Sequence, residues 1–319
     1  MSEHQRNVEH QRNVEHQIEI EVPAATAYRL VAEVENWPRL FPPTVHVDQV
    51  ESAEREERIR IWATANGEPK SWTSRRWLDP DGLRIDFRQE VSTPPVAAMG
   101  GAWLIEPVAA DRCRVRLLHD YRAVDDDPGQ LVWIDAAVDR NSTAELAALK
   151  ANAELADDGV GRLLVFDDTV EIDAPAKAVY DFINEADRWP SRLPHVARVS
   201  LIEETPGLQL LQMETLTKDG STHTTTSVRV CFPDERIVYK QIQTPALMTL
   251  HTGHWLFEGR PGGVTVTSRH TVVINEANVT RVLGPSATVA DARTFVRNAL
   301  STNSLATLRH AKEHAERAG

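Results

Sequence analysis

The chain has little cysteine. Only Cys113 and Cys231 occur in 319 residues, one in each half. That excludes a disulfide framework, and both thiols read as small buried or half-buried hydrophobes in a reducing cytoplasm. It has no run of ~20 apolar residues, so no membrane-spanning helix is expected. The N-terminal stretch MSEHQRNVEHQRNVEHQ has no apolar core, so it does not read as a secretory signal. Its hexad EHQRNV occurs twice and begins a third time, which reads as a short tandem duplication in a solvated arm. Positive charge is also short. There are 35 Lys and Arg against 47 Asp and Glu, a net charge of −12, which argues against bulk nucleic-acid binding. No Ser/His/Asp order with a nucleophile elbow and no Gly-rich phosphate loop is visible. His251-Thr-Gly-His254 has the look of a metal pair. It lacks a third ligand and a counterpart in the first half, so no metal is expected.

What is present is ordinary globular composition, 41% hydrophobic and 26% charged, at a length that suits two domains. The informative feature is internal repetition. Pro23, Tyr28, Trp37 and Pro38 recur as Pro175, Tyr180, Trp189 and Pro190, each pair 152 positions apart. Thr93-Pro94 recurs as Thr244-Pro245. Gly101 and Trp103 recur as Gly253 and Trp255, again 152 apart, and Ser74 and Arg76 as Ser227 and Arg229, 153 apart. Asn141-Ser142 matches Asn303-Ser304 at 162, which places an insertion in the last third of the second copy. An ordered series at nearly constant offset indicates gene-internal duplication. The boundary is expected near Asp157-Asp158-Gly159-Val160-Gly161, a short polar Gly-containing stretch. The expected division is an N-terminal disordered arm over 1–14, a first domain over 15–157 and a second over 162–319.

Each copy opens with alternation, Ile18, Ile20 and Val22 or Val170 and Ile172, which predicts a half-buried strand. Pro follows where a helix can begin. Helices are predicted over Ala24 to Val34 and Ala176 to Ala186. The Trp-Pro pairs are expected to stop or kink the chain, because the residue before Pro avoids the α region. Alternating runs then follow, among them Arg58-Ile-Arg-Ile-Trp, Gly82-Leu-Arg-Ile-Asp-Phe and Gly263-Val-Thr-Val-Thr. They are separated by turns at Asn66-Gly67, Asp79-Pro80-Asp81-Gly82, Lys218-Asp219-Gly220 and Pro261-Gly262-Gly263. This predicts an antiparallel meander. Each copy ends in a long helix with one apolar stripe, Ile134, Val138, Ser142, Leu146 and Leu149, or Val289, Ala292, Val296, Leu300, Ser304 and Leu308. The fold class is therefore α+β. Two tandem domains are expected, each a curved antiparallel sheet of about seven strands wrapped around a long C-terminal helix. Such a grip leaves an internal cavity suited to apolar or amphipathic small molecules.

The pattern Pro-x4-Tyr…Trp-Pro, then Trp-x-Ser-x-Arg, then a terminal helix with Asn resembles the Bet v 1-like/START-related helix-grip superfamily. More narrowly it resembles the didomain bacterial aromatic polyketide aromatase/cyclases. Lys70-Ser-Trp-Thr-Ser-Arg-Arg76, Pro94-Pro95-Val-Ala-Ala-Met-Gly-Gly101, Val228-Arg-Val-Cys-Phe232 and His270-Thr-Val-Val-Ile-Asn-Glu-Ala277 are among the stretches that carry it. The resemblance implies an enzyme of type II polyketide biosynthesis. It would take a poly-β-ketone from an acyl carrier protein, direct intramolecular aldol closure of the first ring, then dehydrate and aromatise it. Didomain members usually close C7–C12 on a chain reduced at C9. No metal or organic cofactor is implied, and the expected location is cytoplasmic. Other polyketide synthase components are expected partners, with neither nucleic acid nor membrane.

That chemistry needs a cavity that bends the chain, a group that stabilises an enolate or alkoxide, and groups that move protons. Trp72, Ser74 and Arg76 share one face of a predicted strand. Arg76 is the first candidate for oxyanion stabilisation and Ser74 for a hydrogen bond beside it; a solvated strand Arg is the alternative, since Arg75 is its neighbour and one of the two must face out. Arg229 and Ser227 are the second-copy equivalents, with Thr225 in place of Trp72. Trp103 and Trp255 are candidate cavity walls or core aromatics. Asn141 and Asn303 are candidate substrate ligands or helix–sheet ties. Single-domain relatives carry a Tyr seven residues after the Trp of Trp-Pro. Thr44 and Val196 stand there, so that Tyr is missing, and His46 and His195 nearby are the alternatives as proton shuttles or as loop histidines. Lys70, Arg75 and Arg39 are candidates for docking an acidic carrier protein. A non-catalytic polyketide or lipid carrier is the rival reading, and a co-chaperone module of the same superfamily a weaker one, because fold does not fix function.

Overall fold

The computed structural model describes residues 11–154, 161–216, 220 and 222–318. The chain divides into two compact units, Met1–Gly159 and Val160–Gly319. The expected linker at 157–160 lies outside the described residues, as do Lys218 and Asp219 of one expected turn.

In the first unit the order is β1 (Arg12–Ile20), α1 (Ala24–Ala32), α2 (Trp37–Leu40), β2 (Thr44–Ser52), β3 (Glu56–Ala65), β4 (Glu68–Asp79), β5 (Arg84–Val91), β6 (Val96–Ala109), β7 (Arg112–Ala123) and α3 (Pro128–Glu154). The sheet runs β1-β7-β6-β5-β4-β3-β2, antiparallel throughout. The second unit repeats it with β8 (Leu163–Ile172), α4 (Ala176–Asn184), α5 (Trp189–Arg192), β9 (Val196–Thr205), β10 (Leu208–Leu216), β11 (Thr222–Phe232), β12 (Arg236–Gln243), β13 (Met248–Arg260), β14 (Gly263–Ile274), α6 (Val279–Leu283) and α7 (Val289–Ala318). Its sheet order is β8-β14-β13-β12-β11-β10-β9. Both are helix-grip folds: seven described strands curve around one long helix.

Three local expectations change. Strand β1 begins at Arg12, inside the stretch expected to be an arm, because Arg12 to Ile20 pair residue by residue with Tyr121 to Cys113. The first helices end two residues early, at Ala32 and Asn184, and each is followed by a single 3-10 turn. The Trp-Pro pairs open a second short helix rather than stopping one. Proline in a helix's first turn removes an N–H that has no intrahelical partner anyway, so it begins α2 and α5 without cost.

The tight turns follow their sequence. Asn66 and Gly67 both take positive φ, 52° and 85°, between β3 and β4. That is the backbone a two-residue hairpin demands. The insertion seen as a change of offset is α6 and the loop after it; between β7 and α3 the first unit has only a 3-10 turn, Val124–Asp126. One stripe of each long helix is buried, Ile134, Ala137, Val138, Ser142, Leu146 and Leu149 in α3 and Ala292, Val296, Ser304, Thr307 and Leu308 in α7. In each unit one core cluster packs α1 or α4 against the sheet and the C-terminal end of the long helix. A smaller cluster lies at the helix's other end. The interior space lies along the same wall of sheet and helix.

Candidate functional site

The repeated motifs meet at one point in each unit. The indole of Trp37 donates to the Val31 carbonyl at 3.1 Å, and that of Trp189 to the Phe182 carbonyl at 3.3 Å. These are among the last carbonyls of α1 and α4, which have no intrahelical donor. The Arg of Ser-x-Arg reaches the same helix ends. Arg76 donates to Val31 O at 2.9 Å and Ala32 O at 3.3 Å; Arg229 donates to Ile183 O at 2.8 Å and Asn184 O at 3.4 Å. Each guanidinium also lies over its Trp ring, at 4.9 Å and 5.3 Å. A cation belongs at a helix C-terminus, where the unsatisfied carbonyls carry partial negative charge. Arg75 takes the solvent side, held between Glu56 and Glu90.

Both arginines are buried, 1% and 2% exposed, and both line an interior space. They differ in electrostatics. Arg76 is paired with the buried carboxylate of Glu57 at 2.6 Å. The residue facing Arg229 across β10 and β11 is the neutral Gln209. Among the described residues no carboxylate comes within ion-pair distance of Arg229. Gln209 instead passes a hydrogen bond outward to Glu203, at 2.7 Å. Burial pushes Arg76 down to about 10, opposed by Glu57, and lowers Arg229 as well, opposed by Cys231, Tyr180 and Glu203. A guanidinium cannot be deprotonated at neutral pH, so both remain cations. The first is neutralised by its partner and the second is not.

The cavities differ in size. In the first unit two adjoining spaces of about 140 and 90 Å³ share Trp37, Trp72, Met99 and His119 as walls. In the second unit one cavity of about 380 Å³ is lined by Trp189, Thr225, Ser227, Arg229, Tyr239, Trp255 and Asn303, among others. Thr225 in place of Trp72 removes an indole from the wall. Val282 of α6 also lines the cavity, so the inserted segment forms part of its boundary. Val282 and Phe295 line it while 43% and 52% exposed, which marks an apolar mouth.

The expected site residues fall as follows. Trp72 borders both first-unit spaces, Ser74, Arg76 and Trp103 the inner one, and Asn141 the outer one. Asn141 also donates to Thr64 O at 2.9 Å and so ties helix to sheet. Thr225, Ser227, Arg229, Trp255 and Asn303 come together in the second cavity. His195 joins them, near Thr307 at 3.5 Å, while His46 is absorbed by Asp48 at 2.7 Å and stacks toward Trp62. Burial lowers His195 from its ordinary value. His251 and His254 do not converge. Residues three apart on a strand face opposite sides, and only His251 is buried in the cavity wall.

Sequence reasoning passed over one group in the wall of the second cavity. Tyr239 on β12, His251 on β13 and His270 on β14 converge, with Tyr239 Oη 3.0 Å from His270 Nδ1 and 3.3 Å from His251 Nε2. The two imidazoles are stacked with centroids 5.3 Å apart and His251 Nε2 3.1 Å from His270 Nδ1, and Ser268 Oγ lies 3.2 Å from His270 Nε2. The signal was parity: Gly253 and Trp255 already marked the inward face of β13, and His251 shares it.

The two units are thus cavity-bearing helix-grip domains with polar groups set into apolar walls. A family model described as polyketide cyclase / dehydrase and lipid transport matches residues 11–154, and a second of the same description matches residues 172–298. The granaticin polyketide synthase bifunctional cyclase/dehydratase of Streptomyces virginiae is 54% identical over 288 residues, 90% of this chain and 94% of that one. The corresponding actinorhodin protein of Streptomyces coelicolor is 48% identical over 301 residues, 91% of this chain and 93% of that one. Among solved structures, the di-domain ARO/CYC BexL of the BE-7585A pathway is 64% identical with a TM-score of 0.84, covering 96% of this chain and 99% of its own. The di-domain ARO/CYC StfQ of the steffimycin pathway is 34% identical with a TM-score of 0.83, covering 95% and 98%. The chain belongs to the polyketide cyclase/dehydrase family, as one of its two-domain cyclase/dehydratase enzymes.

Proposed function

We propose that this enzyme receives a C9-reduced poly-β-ketone from an acyl carrier protein, closes its first ring between C7 and C12 by aldol addition, and carries the ring through dehydration to the aromatic state. The observation that carries the reading is the 380 Å³ apolar cavity with Arg229, an unneutralised cation, in its wall. A poly-β-ketone left in water cyclises in several registers. A walled space allows few conformers and brings the reacting carbons together, which is itself a large share of the rate. Closure turns the attacked carbonyl into an alkoxide, and the preceding enolate also bears charge on oxygen. A buried guanidinium in a water-poor pocket stabilises both without giving up a proton. In this reading the hydroxyls of Thr225 and Ser227, which line the same cavity, hydrogen-bond the remaining carbonyls.

The docking residues for the carrier belong to this reading as well. Lys70 is the best placed of the three expected cations. It borders the first unit's outer space, lies 5.6 Å from the Trp133 ring centre and pairs with Glu68 at 2.9 Å. Arg75 is already balanced by two carboxylates, and Arg39 is bonded to Asn36 at 3.1 Å.

The test is reconstitution of a minimal polyketide synthase and ketoreductase with and without the protein, products read by mass spectrometry. A shift from a mixture of shunt products to one first-ring aromatic product is expected. An unchanged spectrum, with only the yield altered, sinks the reading in favour of a carrier.

A further inference from the structure

We propose that dehydration takes place in the second cavity, and that Tyr239 is its proton donor, with His251 and His270 as the imidazole pair that takes up and returns the proton. This rests on the cyclase/dehydratase reading above and deepens it.

The internal repeat supplies a control. Tyr239, His251 and Ser268 correspond by sheet register to Phe87, Met99 and Leu117 in the first unit, and His270 to His119. The first unit adopts the same fold with apolar side chains at three of the four positions. The network is therefore not a requirement of the fold. It also has a cost: burying polar groups is unfavourable unless every atom is paired. His251 and His270 are 3% and 4% exposed, and His251 Nδ1 finds no hydrogen-bond partner among the described residues. Three of these four polar groups are absent from the sister unit, which keeps only His119; polar groups added at such a cost on a cavity wall point to chemistry rather than packing.

The geometry fits proton exchange. Tyr239 is the half-buried member, and it lines the cavity with its oxygen against both imidazoles. Burial drives His251 down to about 3, with His270 adding to it, and His270 to about 4, with Asp168 and Asp167 on β8 opposing and His254 assisting. Both rings are neutral at working pH, so each keeps one ring nitrogen with a free lone pair, and the burial that disfavours the imidazolium makes it hand the proton on at once. Burial also raises the Tyr239 phenol, so no standing phenolate forms. The proton leaves only as another arrives.

In the step itself, the carbon next to the ring carbonyl gives its proton to the imidazole pair. The C–H electron pair becomes the new C=C bond. The C–O bond of the β-hydroxyl breaks with its electrons going to oxygen, which takes the Tyr239 proton and departs as water. As the phenol proton leaves, the imidazole pair passes the proton it has taken to the Tyr239 oxygen across the 3.0 Å contact. The protein returns to its starting state, and one water is lost from the substrate.

The test uses the full chain in the reconstituted system, comparing Tyr239→Phe with wild type. Phe is what the first unit carries at this position. Expected is ring-closed product one water heavier than the wild-type product, with the dehydration rate lowered by about 100-fold or more, the usual scale of a lost general acid. Dehydrated product at the wild-type rate overturns the proposal. So does loss of ring closure and dehydration together in a variant whose melting is unchanged, since that marks a structural role. If Tyr239→Phe melts below the assay temperature, His251→Met decides in the same way, Met being the first unit's residue. Failure of the underlying reading looks different: wild type itself then leaves the product spectrum unchanged.

Discussion

At the scale of single residues, the pair Glu57 and Gln209 separates two arginines that the sequence presents as equivalents. Both arginines close a helix end and face a cavity wall, but only Arg76 has a buried counter-ion. Removing one partner of a buried ion pair leaves a charge unpaired and costs about 3–5 kcal/mol. Arg76→Ala is therefore expected to destabilise the first unit by that amount, and adding Glu57→Gln should recover a large part of it. Arg229→Ala leaves only neutral groups behind and should cost less. Urea unfolding of the three variants checks this. Equal losses for both arginines, with no recovery by Glu57→Gln, would show the counter-ion to be irrelevant. The motif Trp-x-Ser-x-Arg was legible in the sequence. Its counter-ion was not, because Glu57 sits on a neighbouring strand, 19 positions away.

At the scale of elements, strands and long helices were legible because alternation and the helical stripe survive in each copy. The matched glycines Gly101 and Gly253 were visible only as matches. The sheet explains them. A Cβ on Gly253 would run into the Arg269 carbonyl of β14 and lie 2.7 Å from the Tyr239 hydroxyl, and one on Gly101 would meet the Leu118 carbonyl and lie 2.8 Å from Phe87. Backbone cannot retreat within a paired strand. Gly253→Ala is expected to cost upward of about 2 kcal/mol, in the range of overpacked cores, and to displace Tyr239. Thermal melting should show the loss. A melting point unchanged within a degree or so would mean that β13 can shift, against this account. The Trp-Pro pairs, expected to stop or kink the chain, instead open a short helix, since proline's rule for the preceding residue does not hold where the proline itself sits in a helix's first turn.

At the scale of the whole molecule, one chain carries two versions of one cavity, and volume separates them. About 380 Å³ in the second unit accommodates a small polycyclic molecule, while the first unit's 140 and 90 Å³ do not as they stand. A fluorescent tricyclic aromatic is expected to bind once per chain. Ala299→Trp, which fills the second cavity from α7, should abolish binding; the corresponding Ala137→Trp should leave it within about twofold. Titration followed by fluorescence gives the stoichiometry. Binding that survives Ala299→Trp and disappears with Ala137→Trp would reverse the assignment.

The amino-acid order alone determined the duplication, the α+β class, the antiparallel meander and the helix that ends each copy. All of these rest on short-range periodicity and on repetition, which a linear string preserves. Only tertiary structure decided which cavity is large, which arginine keeps a free charge, and that Tyr239, His251 and His270 touch. Those facts depend on side chains brought together from different strands. Each turns on a substitution between copies, Trp72 to Thr225, Glu57 to Gln209 or Phe87 to Tyr239, whose meaning appears only when the neighbouring strands are in place.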